Sequence, residues 1–135
     1  MNIFILYLLI TLSIAQNNQN SIQFTFNNTN KLLTISGNGI LKQIDNNLYN
    51  LYKEETKETI IQNGISEIEN GVFYNWNTLN KITISSTIKS IGKYCFANCE
   101  KLETVQFEGN SQLEIIKYEK EEMKYILYWV KNDKL

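Results

Sequence analysis

Apolar residues recur at one constant offset in the middle of this chain. Ile65 and Ile88 are one such pair (88 − 65 = 23), and Phe73 and Phe96 are another (96 − 73 = 23). The further pairs with this offset are Ile68 with Ile91, Trp76 with Cys99, Leu79 with Leu102, Ile82 with Val105, and Ile84 with Phe107. Because 43% of all residues are hydrophobic, chance alone rarely aligns so many positions at one offset. A repeat period of about 20 to 50 residues indicates a solenoid of stacked units.

Each repeat unit predicts a short strand, a turn of the chain and one helical turn. The L-x-x-I-x-I pattern that ends at Ile84 suits a strand that points Ile82 and Ile84 into the core. Ile88 and Ile91 then turn the chain, and residues 92–99 place small and aromatic side chains at helix-like spacing. Such a unit cannot bury its apolar edge alone, so neighbouring units must stack. The prediction is a leucine-rich-repeat solenoid with mainly parallel β-structure on one face.

The repeat also resembles a known family. Ile88–Leu102 reads IKSIGKYCFANCEKL and keeps the I-G, the Phe and the A-N-C before Leu that are typical of BspA-like leucine-rich repeats. Ile65–Leu79 follows the pattern more loosely, since Glu69 replaces the Gly and Trp76 replaces the Cys. BspA-like proteins are secreted and surface proteins of bacteria and parasitic protists. The resemblance implies adhesion through protein–protein or host-surface contact, without catalysis.

The N-terminal segment Met1–Ala15 predicts a signal peptide. The segment has an apolar core from Ile3 to Ile14. At its end, the small residues Ser13 and Ala15 occupy the positions expected before a cleavage site. The alternative is a buried N-terminal strand or helix. With the signal peptide removed, the mature chain begins at Gln16, carries no transmembrane span, and is secreted to the extracellular space or cell surface.

Residues 16–57 predict an N-terminal β-hairpin cap and a connector. Ile22–Phe26 and Leu32–Ser36 alternate at period two, and the Asn-rich stretch Asn27–Lys31 forms the turn between them. Because the first unit of a solenoid exposes an apolar end, we expect the hairpin to cover it.

The connector Leu41–Thr59 is polar, and we expect its apolar residues to pack on the first unit. These residues are Tyr49, Leu51 and Tyr52. A degenerate strand at Thr59 and Ile61 begins the repeats, which cover residues 58–116.

The repeat spacing changes near the C-terminal end. The offset between Ile91 and Ile116 is larger than in the earlier units (116 − 91 = 25), which predicts a two-residue insertion in the surface turn Glu108–Gln112. In residues 117–135 the repeat pattern ends. Two interpretations remain open for this segment, a closing helical cap and a degenerate tail.

The amino-acid composition argues against several classes of function. The net charge of −1 gives no electrostatic attraction to nucleic acid. The absence of histidine removes the commonest general base and metal ligand. Two aspartates, Asp45 and Asp133, are too few for a calcium loop. We therefore predict a protein that is not an enzyme and needs no cofactor or metal.

Cys95 and Cys99 are the two cysteines of the chain, and they would meet an oxidising compartment after secretion. Small apolar packing explains both positions, since a free cysteine behaves as a buried hydrophobic residue. A disulfide is the alternative, although residues four apart on a helix aim their Cβ atoms poorly for a bridge.

The candidate ligand face consists of the strand residues expected to point away from the core. These are Lys81, Thr83, Ser85, Thr104, Gln106 and Glu108, preceded by Glu58, Ile60 and Gln62 in the degenerate unit. Solenoids use such faces for protein ligands. The alternative is a face that is only solvated.

The sequence Asn27-Asn28-Thr29 is an N-x-S/T sequon and makes Asn27 a candidate N-glycosylation site. An unused sequon is the alternative.

Two functions remain open. The first is a secreted adhesion protein that binds a protein ligand or host extracellular surface. The second is a truncated fragment of a larger BspA-like surface antigen, with a structural role or no independent binding. A short array also predicts marginal stability or self-association through the exposed end of the last repeat.

Overall fold

The computed structural model describes residues 22–43, 47–110 and 115–116. Within these ranges the secondary structure consists of short strands and one helix. In chain order they are β1 (Gln23–Asn27), β2 (Leu32–Ser36), β3 (Gly39–Leu41), α1 (Asn47–Glu55), β4 (Glu58–Ile61), β5 (Ile65–Ile68), β6 (Lys81–Ile84), β7 (Ser90–Ile91), β8 (Thr104–Phe107) and β9 (Ile115–Ile116).

A five-stranded sheet with the order β1-β2-β4-β6-β8 contains the strands predicted from the L-x-x-I-x-I pattern. β1 and β2 form an antiparallel hairpin, and every later pair in this sheet is parallel. Glu58 lies opposite Lys81, and Lys81 lies opposite Thr104, so strand register follows the repeat offset seen in the sequence. The solenoid prediction is confirmed.

A second, four-stranded sheet was not expected from the sequence. It has the order β3-β5-β7-β9, and all its strand pairs are parallel. The prediction that Ile88 and Ile91 only turn the chain is wrong, because Ser90 and Ile91 form a strand that pairs with both neighbouring units. Each turn of the solenoid therefore contributes a strand to two sheets. Ile91 pairs with Ile116, which confirms the longer spacing predicted at this turn.

The predicted helical turn is replaced by a run of tight turns. Tyr94 and Asn98 adopt left-handed backbone angles, with φ of 56° and 57°. Their counterparts one unit earlier, Gly71 and Asn75, have φ of 66° and 62°. A right-handed helix cannot continue through such residues.

The backbone of these turns is bonded to the neighbouring unit. Phe73 N–H donates to the Cys95 carbonyl over 3.0 Å, and Asn75 N–H donates to the Ala97 carbonyl over the same distance. In a helix, these backbone N–H and carbonyl groups would form hydrogen bonds within the segment. Here they form hydrogen bonds between neighbouring units.

The core lies between the two sheets and the turns. On the five-stranded sheet, the core-facing side chains form two rows across the strands. One row is Phe26, Leu33, Thr59, Ile82 and Val105, and the other is Phe24, Ile35, Ile61, Ile84 and Phe107. In the turns, the rings of Phe73 and Phe96 stack with centroids 5.7 Å apart.

The connector contains the helix α1, which the sequence analysis did not predict. Tyr49 and Tyr52 lie on one face of this helix and are buried, as expected. Leu51 points away and is 41% exposed, so its prediction as an anchor is wrong. Phe24 and Phe26 of the hairpin pack on Tyr52, with ring centroids 6.2 and 5.7 Å away. The hairpin is confirmed, whereas its role as a cap stays a prediction.

The predicted signal peptide Met1–Ala15 and the segment 117–135 lie outside the described residues. In the part of the chain that is described, no helix has the length and apolar character to cross a membrane.

Candidate functional site

The outer face of the five-stranded sheet is the side of the strands that points away from the core. Side chains from neighbouring strands form rows on it, because the parallel strands are paired in register. One row runs through Thr34, Ile60, Thr83 and Gln106. A second row runs through Leu32, Glu58, Lys81 and Thr104.

Four of the predicted ligand-face residues are accessible, and three of them, Lys81, Thr104 and Gln106, lie on this face. Thr104, Gln106 and Glu108 are exposed, and Lys81 is half-buried. They combine one cation, one carboxylate, one amide and one hydroxyl on two neighbouring strands and the residue after β8. Such a surface can form hydrogen bonds and ion pairs with a partner, and it contains no nucleophile with an adjacent base.

Thr83 and Ser85 were also predicted to lie on this face. Thr83 does point outward but is buried, whereas the prediction for Ser85 is wrong. Thr83 is only 8% exposed because it lies on a central strand between Ile60 and Gln106. Ser85 is fully buried: its N–H donates to the Ile61 carbonyl, and its hydroxyl belongs to a polar network inside the solenoid. These two residues are not available to a ligand in this structure.

The polar network around Ser85 is built on Thr87, a residue that sequence reasoning missed. Thr87 Oγ1 accepts a hydrogen bond from Gly64 N–H over 3.1 Å and donates to the Ile65 carbonyl over 2.8 Å. Ser85 Oγ lies 3.1 Å from the same hydroxyl. Thr87 is the counterpart of Gly64 in the next unit (87 − 64 = 23), so the repeat offset was the available signal for this contact.

Residues 2–120 match the family described as the BspA type leucine-rich repeat region (6 copies). The chain belongs to this family. Its members are usually surface-associated proteins involved in binding, and they are typically not enzymes. No curated protein matches the sequence significantly.

Solved structures of bacterial leucine-rich-repeat proteins resemble this chain. A leucine-rich repeat protein from Eubacterium ventriosum is 25% identical, with a TM-score of 0.61 over 76% of this chain and 27% of that chain. A leucine-rich repeat protein of T. pallidum is 16% identical, with a TM-score of 0.45 over 74% and 42% of the two chains. A leucine-rich cell surface protein from Faecalibacterium prausnitzii is 24% identical, with a TM-score of 0.41 over 75% and 31%. The present chain thus spans less than half the length of each of these proteins.

The glycine of the BspA-type repeat has a steric explanation here. A Cβ atom on Gly92 would lie 2.5 Å from Asn70 Oδ1 and 2.6 Å from the carbonyl carbon of Glu69, and it would also overlap the Asn70 nitrogen. Glu69 itself occupies the equivalent position one unit earlier (92 − 69 = 23). Its carboxylate lies 3.3 Å from Lys42 Nζ and its side chain is 42% exposed, so this position has room for a side chain.

The cysteines occupy packing positions of the BspA-type repeat. Cys95 is 1% exposed in the core, as the packing interpretation predicted. Cys99 is half-buried, and its thiol donates to the Phe73 carbonyl over 3.0 Å. Both side chains are thiols in the structure.

Tyr49 links the connector to the first full repeat. Its hydroxyl donates to the Val72 carbonyl over 2.7 Å and accepts from Trp76 Nε1 over 3.0 Å. Burial raises the pKa of this hydroxyl above its ordinary value of 10.0, while the hydrogen bonds with Trp76 and Gln43 act in the opposite direction. We assign this hydroxyl a structural role, because it is enclosed by the repeat to which it is hydrogen-bonded.

The sequon lies on the exposed turn after β1. Asn27 is exposed, and its Oδ1 accepts a hydrogen bond from the Thr29 N–H over 2.9 Å. Within the described ranges, no three His, Cys, Asp or Glu side chains gather into a group that could hold a metal ion.

Proposed function

We propose that this protein is secreted or displayed at the cell surface, and that it binds another protein or a host extracellular surface without catalysing a reaction. Adhesion is the function that this proposal assigns to it. Membership of the BspA-type family is the observation that carries the proposal. The predicted signal peptide Met1–Ala15 supports the location.

We place the ligand contact on the outer face at β6 and β8. Lys81, Thr104 and Gln106 on this face, with Glu108 directly after β8, provide accessible polar groups of both charge signs. Interfaces usually draw most of their affinity from buried aromatic residues or arginine, and none of these four residues is of that kind. We therefore expect a polar, hydrated contact of modest affinity, in which many copies on one surface act together.

Secretion is tested on the full chain expressed in a eukaryotic secretory host. The expected result is protein in the medium whose N-terminal peptide begins at Gln16. Protein that stays inside the cells with Met1–Ala15 attached would contradict the predicted signal peptide.

Binding is tested with the secreted protein on an immobilised extracellular-matrix extract and on intact epithelial cells. Gln106→Arg adds a charge and bulk to the outer face, and Asn77→Arg makes the same kind of change at an exposed turn residue away from it. We expect binding to fall at least several-fold for Gln106→Arg and to be unchanged for Asn77→Arg. An equal loss in both variants would remove the outer face as the site. No binding by the parent protein would favour the alternative of a structural role within a larger surface antigen.

A further inference from the structure

We propose that Asn27 carries an N-linked glycan at the β1 edge of the outer face. This inference rests on the proposed entry into the secretory pathway, because the sugar donor is encountered there. Within the full sequence, Asn27-Asn28-Thr29 is the only N-x-S/T sequon. The structure adds three features that bear on whether this sequon can be used.

The first feature is accessibility. Asn27 ends β1, and it is exposed, as are Asn28, Thr29 and Asn30 in the turn that follows. The turn is also held in place, since Lys31 Nζ lies 2.6 Å from both Asn28 Oδ1 and Glu55 Oε2. An acceptor at this turn does not require the core to open.

The second feature is the conformation of the acceptor side chain. Asn27 Oδ1 accepts the Thr29 N–H, so the amide forms an Asx turn through its oxygen. The nitrogen Nδ2 takes no part in that bond. A sugar on Nδ2 leaves the Asx turn intact, so the modified and unmodified turns can keep the same backbone.

The chemical step uses a lipid-pyrophosphate-linked oligosaccharide as co-reactant. Asn27 Nδ2 forms a bond to the anomeric carbon of the first sugar and loses one proton. The bond from that carbon to the pyrophosphate oxygen breaks, and the lipid pyrophosphate leaves with the electron pair. No oxidation or reduction is involved.

The third feature is the position of Asn27 relative to the proposed ligand face. Gln23, Thr25 and Asn27 are exposed, whereas Phe24 and Phe26 between them pack against the core, so Asn27 points to the outer side. Asn27 pairs with Leu32 and stands in the row that continues to Glu58, Lys81 and Thr104.

Lys81 is three strands from Asn27, about 14 Å at the usual strand spacing. A glycan at Asn27 would therefore be attached at the border of the outer face, three strands away from β6. It would also cover the edge of β1, where unpaired backbone groups can template association with another chain.

The test expresses the full chain in a eukaryotic secretory host, once with its own N-terminus and once behind a heterologous cleavable signal sequence. Peptide-N-glycosidase treatment followed by peptide mass spectrometry reads the site, because the enzyme converts a glycan-bearing asparagine to aspartate. We expect a gel-mobility shift on deglycosylation and this conversion at Asn27.

Matched variants separate the acceptor from its surroundings. Asn27→Gln removes the acceptor, and Thr29→Ala removes the hydroxyl of the sequon, so both should abolish the shift. Asn28→Gln changes a neighbouring exposed amide but keeps an N-x-T sequon, so it should retain the shift.

The outcomes distinguish this proposal from the proposed secretion. Modification behind the heterologous signal alone would support the glycan site and count against the native signal peptide. Secreted, folded protein without a glycan in both expression formats would overturn the glycan site. A shift that persists in Asn27→Gln would also overturn it.

Discussion

Thr59 occupies a core-facing position where neighbouring strands carry hydrocarbon side chains. It lies in one row with Leu33 and Ile82, and it is 1% exposed. Its hydroxyl is buried and has no hydrogen-bond partner among the residues that the structure describes. A buried hydroxyl that has lost its water without gaining a partner lowers the free energy of unfolding.

Thr59→Val should therefore stabilise the protein. Valine keeps the shape and the β-branching of threonine, so the strand is undisturbed. We expect the free energy of unfolding to rise by about 1 kcal/mol, measured by urea denaturation of the full chain. Thr87→Val is the control, because its hydroxyl is bonded to Gly64 and Ile65. It should lower the free energy of unfolding by about 1 to 3 kcal/mol. Stabilisation by both substitutions would contradict this account of Thr59.

The Tyr49 hydroxyl makes stability depend on alkaline pH. Because burial raises its pKa in the folded state, its neutral form contributes stability that is fully present below pH 10.0. That contribution is lost as the pH rises from 10.0 through the raised pKa, since the unfolded chain ionises first.

Comparing the parent protein with Tyr49→Phe isolates this effect, because both proteins contain the same other tyrosines and the same lysines. At neutral pH the variant should be less stable by about 1 to 3 kcal/mol, because the Val72 carbonyl loses its donor. Above pH 10.0 the difference in free energy of unfolding between parent and variant should shrink. A difference that stays constant through alkaline denaturation would argue against a raised pKa at Tyr49.

At the residue scale, inward-facing positions were easier to predict than exposed ones. The alternation at Ile82 and Ile84 correctly placed both in the core. The same alternation wrongly placed Ser85 outside, because Ser85 follows the strand and is fixed by Thr87 and the Ile61 carbonyl. Burial there depends on a hydrogen-bond network between units, which the two-residue alternation within one strand does not encode.

At the element scale, the glycine after β7 sets how closely adjacent units approach. Gly92→Ala would bring a Cβ atom against Asn70 and Glu69, which belong to the preceding turn of backbone. The backbone must shift to relieve this overlap, so we expect the free energy of unfolding to fall by about 2 kcal/mol or more.

Gly71→Asn provides a matched control for this substitution. Gly71 has a φ of 66°, a conformation that asparagine tolerates, and a Cβ there would approach nothing closer than 3.8 Å. In thermal and urea denaturation, Gly71→Asn should change the free energy of unfolding by less than about 1 kcal/mol. An equal loss of stability in Gly71→Asn and Gly92→Ala would show that backbone conformation, and not crowding, explains the glycine.

The elements that the sequence analysis missed share one physical cause. The strand β7 and the turns around Tyr94 and Asn98 obtain their hydrogen bonds from a neighbouring unit, whereas spacing rules describe a single segment. Asn75 and Asn98 occupy equivalent repeat positions (98 − 75 = 23) and are both left-handed, so the recurrent asparagine was a usable sign against a helix. The helix α1 was missed because the segment around it is polar with few apolar residues.

At the scale of the whole molecule, strand edges determine how the protein associates. Among the described strands, β8 lies at one edge of the five-stranded sheet and β1 at the other. An edge strand offers unpaired backbone groups to a second copy of the chain. We expect self-association through β8 that increases with protein concentration in sedimentation-velocity runs.

Added charge on an edge strand opposes such pairing. Thr104→Lys combined with Gln106→Lys should shift the protein toward the monomer. The control is Asn50→Lys combined with Asn77→Lys, which adds the same charge at exposed residues away from β8. A parent protein that remains monomeric at all concentrations would contradict the prediction.

The strands β4, β6 and β8 are neighbours in the sheet in the same order as in the chain, and this sets the order in which they can pair during synthesis. On the ribosome, β4 emerges before β6, and β6 emerges before β8, so each parallel strand meets a neighbour that has already been made. The interval between partners is short, which favours rapid pairing over long-lived exposed edges. The nascent chain can thus add one turn of solenoid at a time, and every completed turn becomes the template for the next.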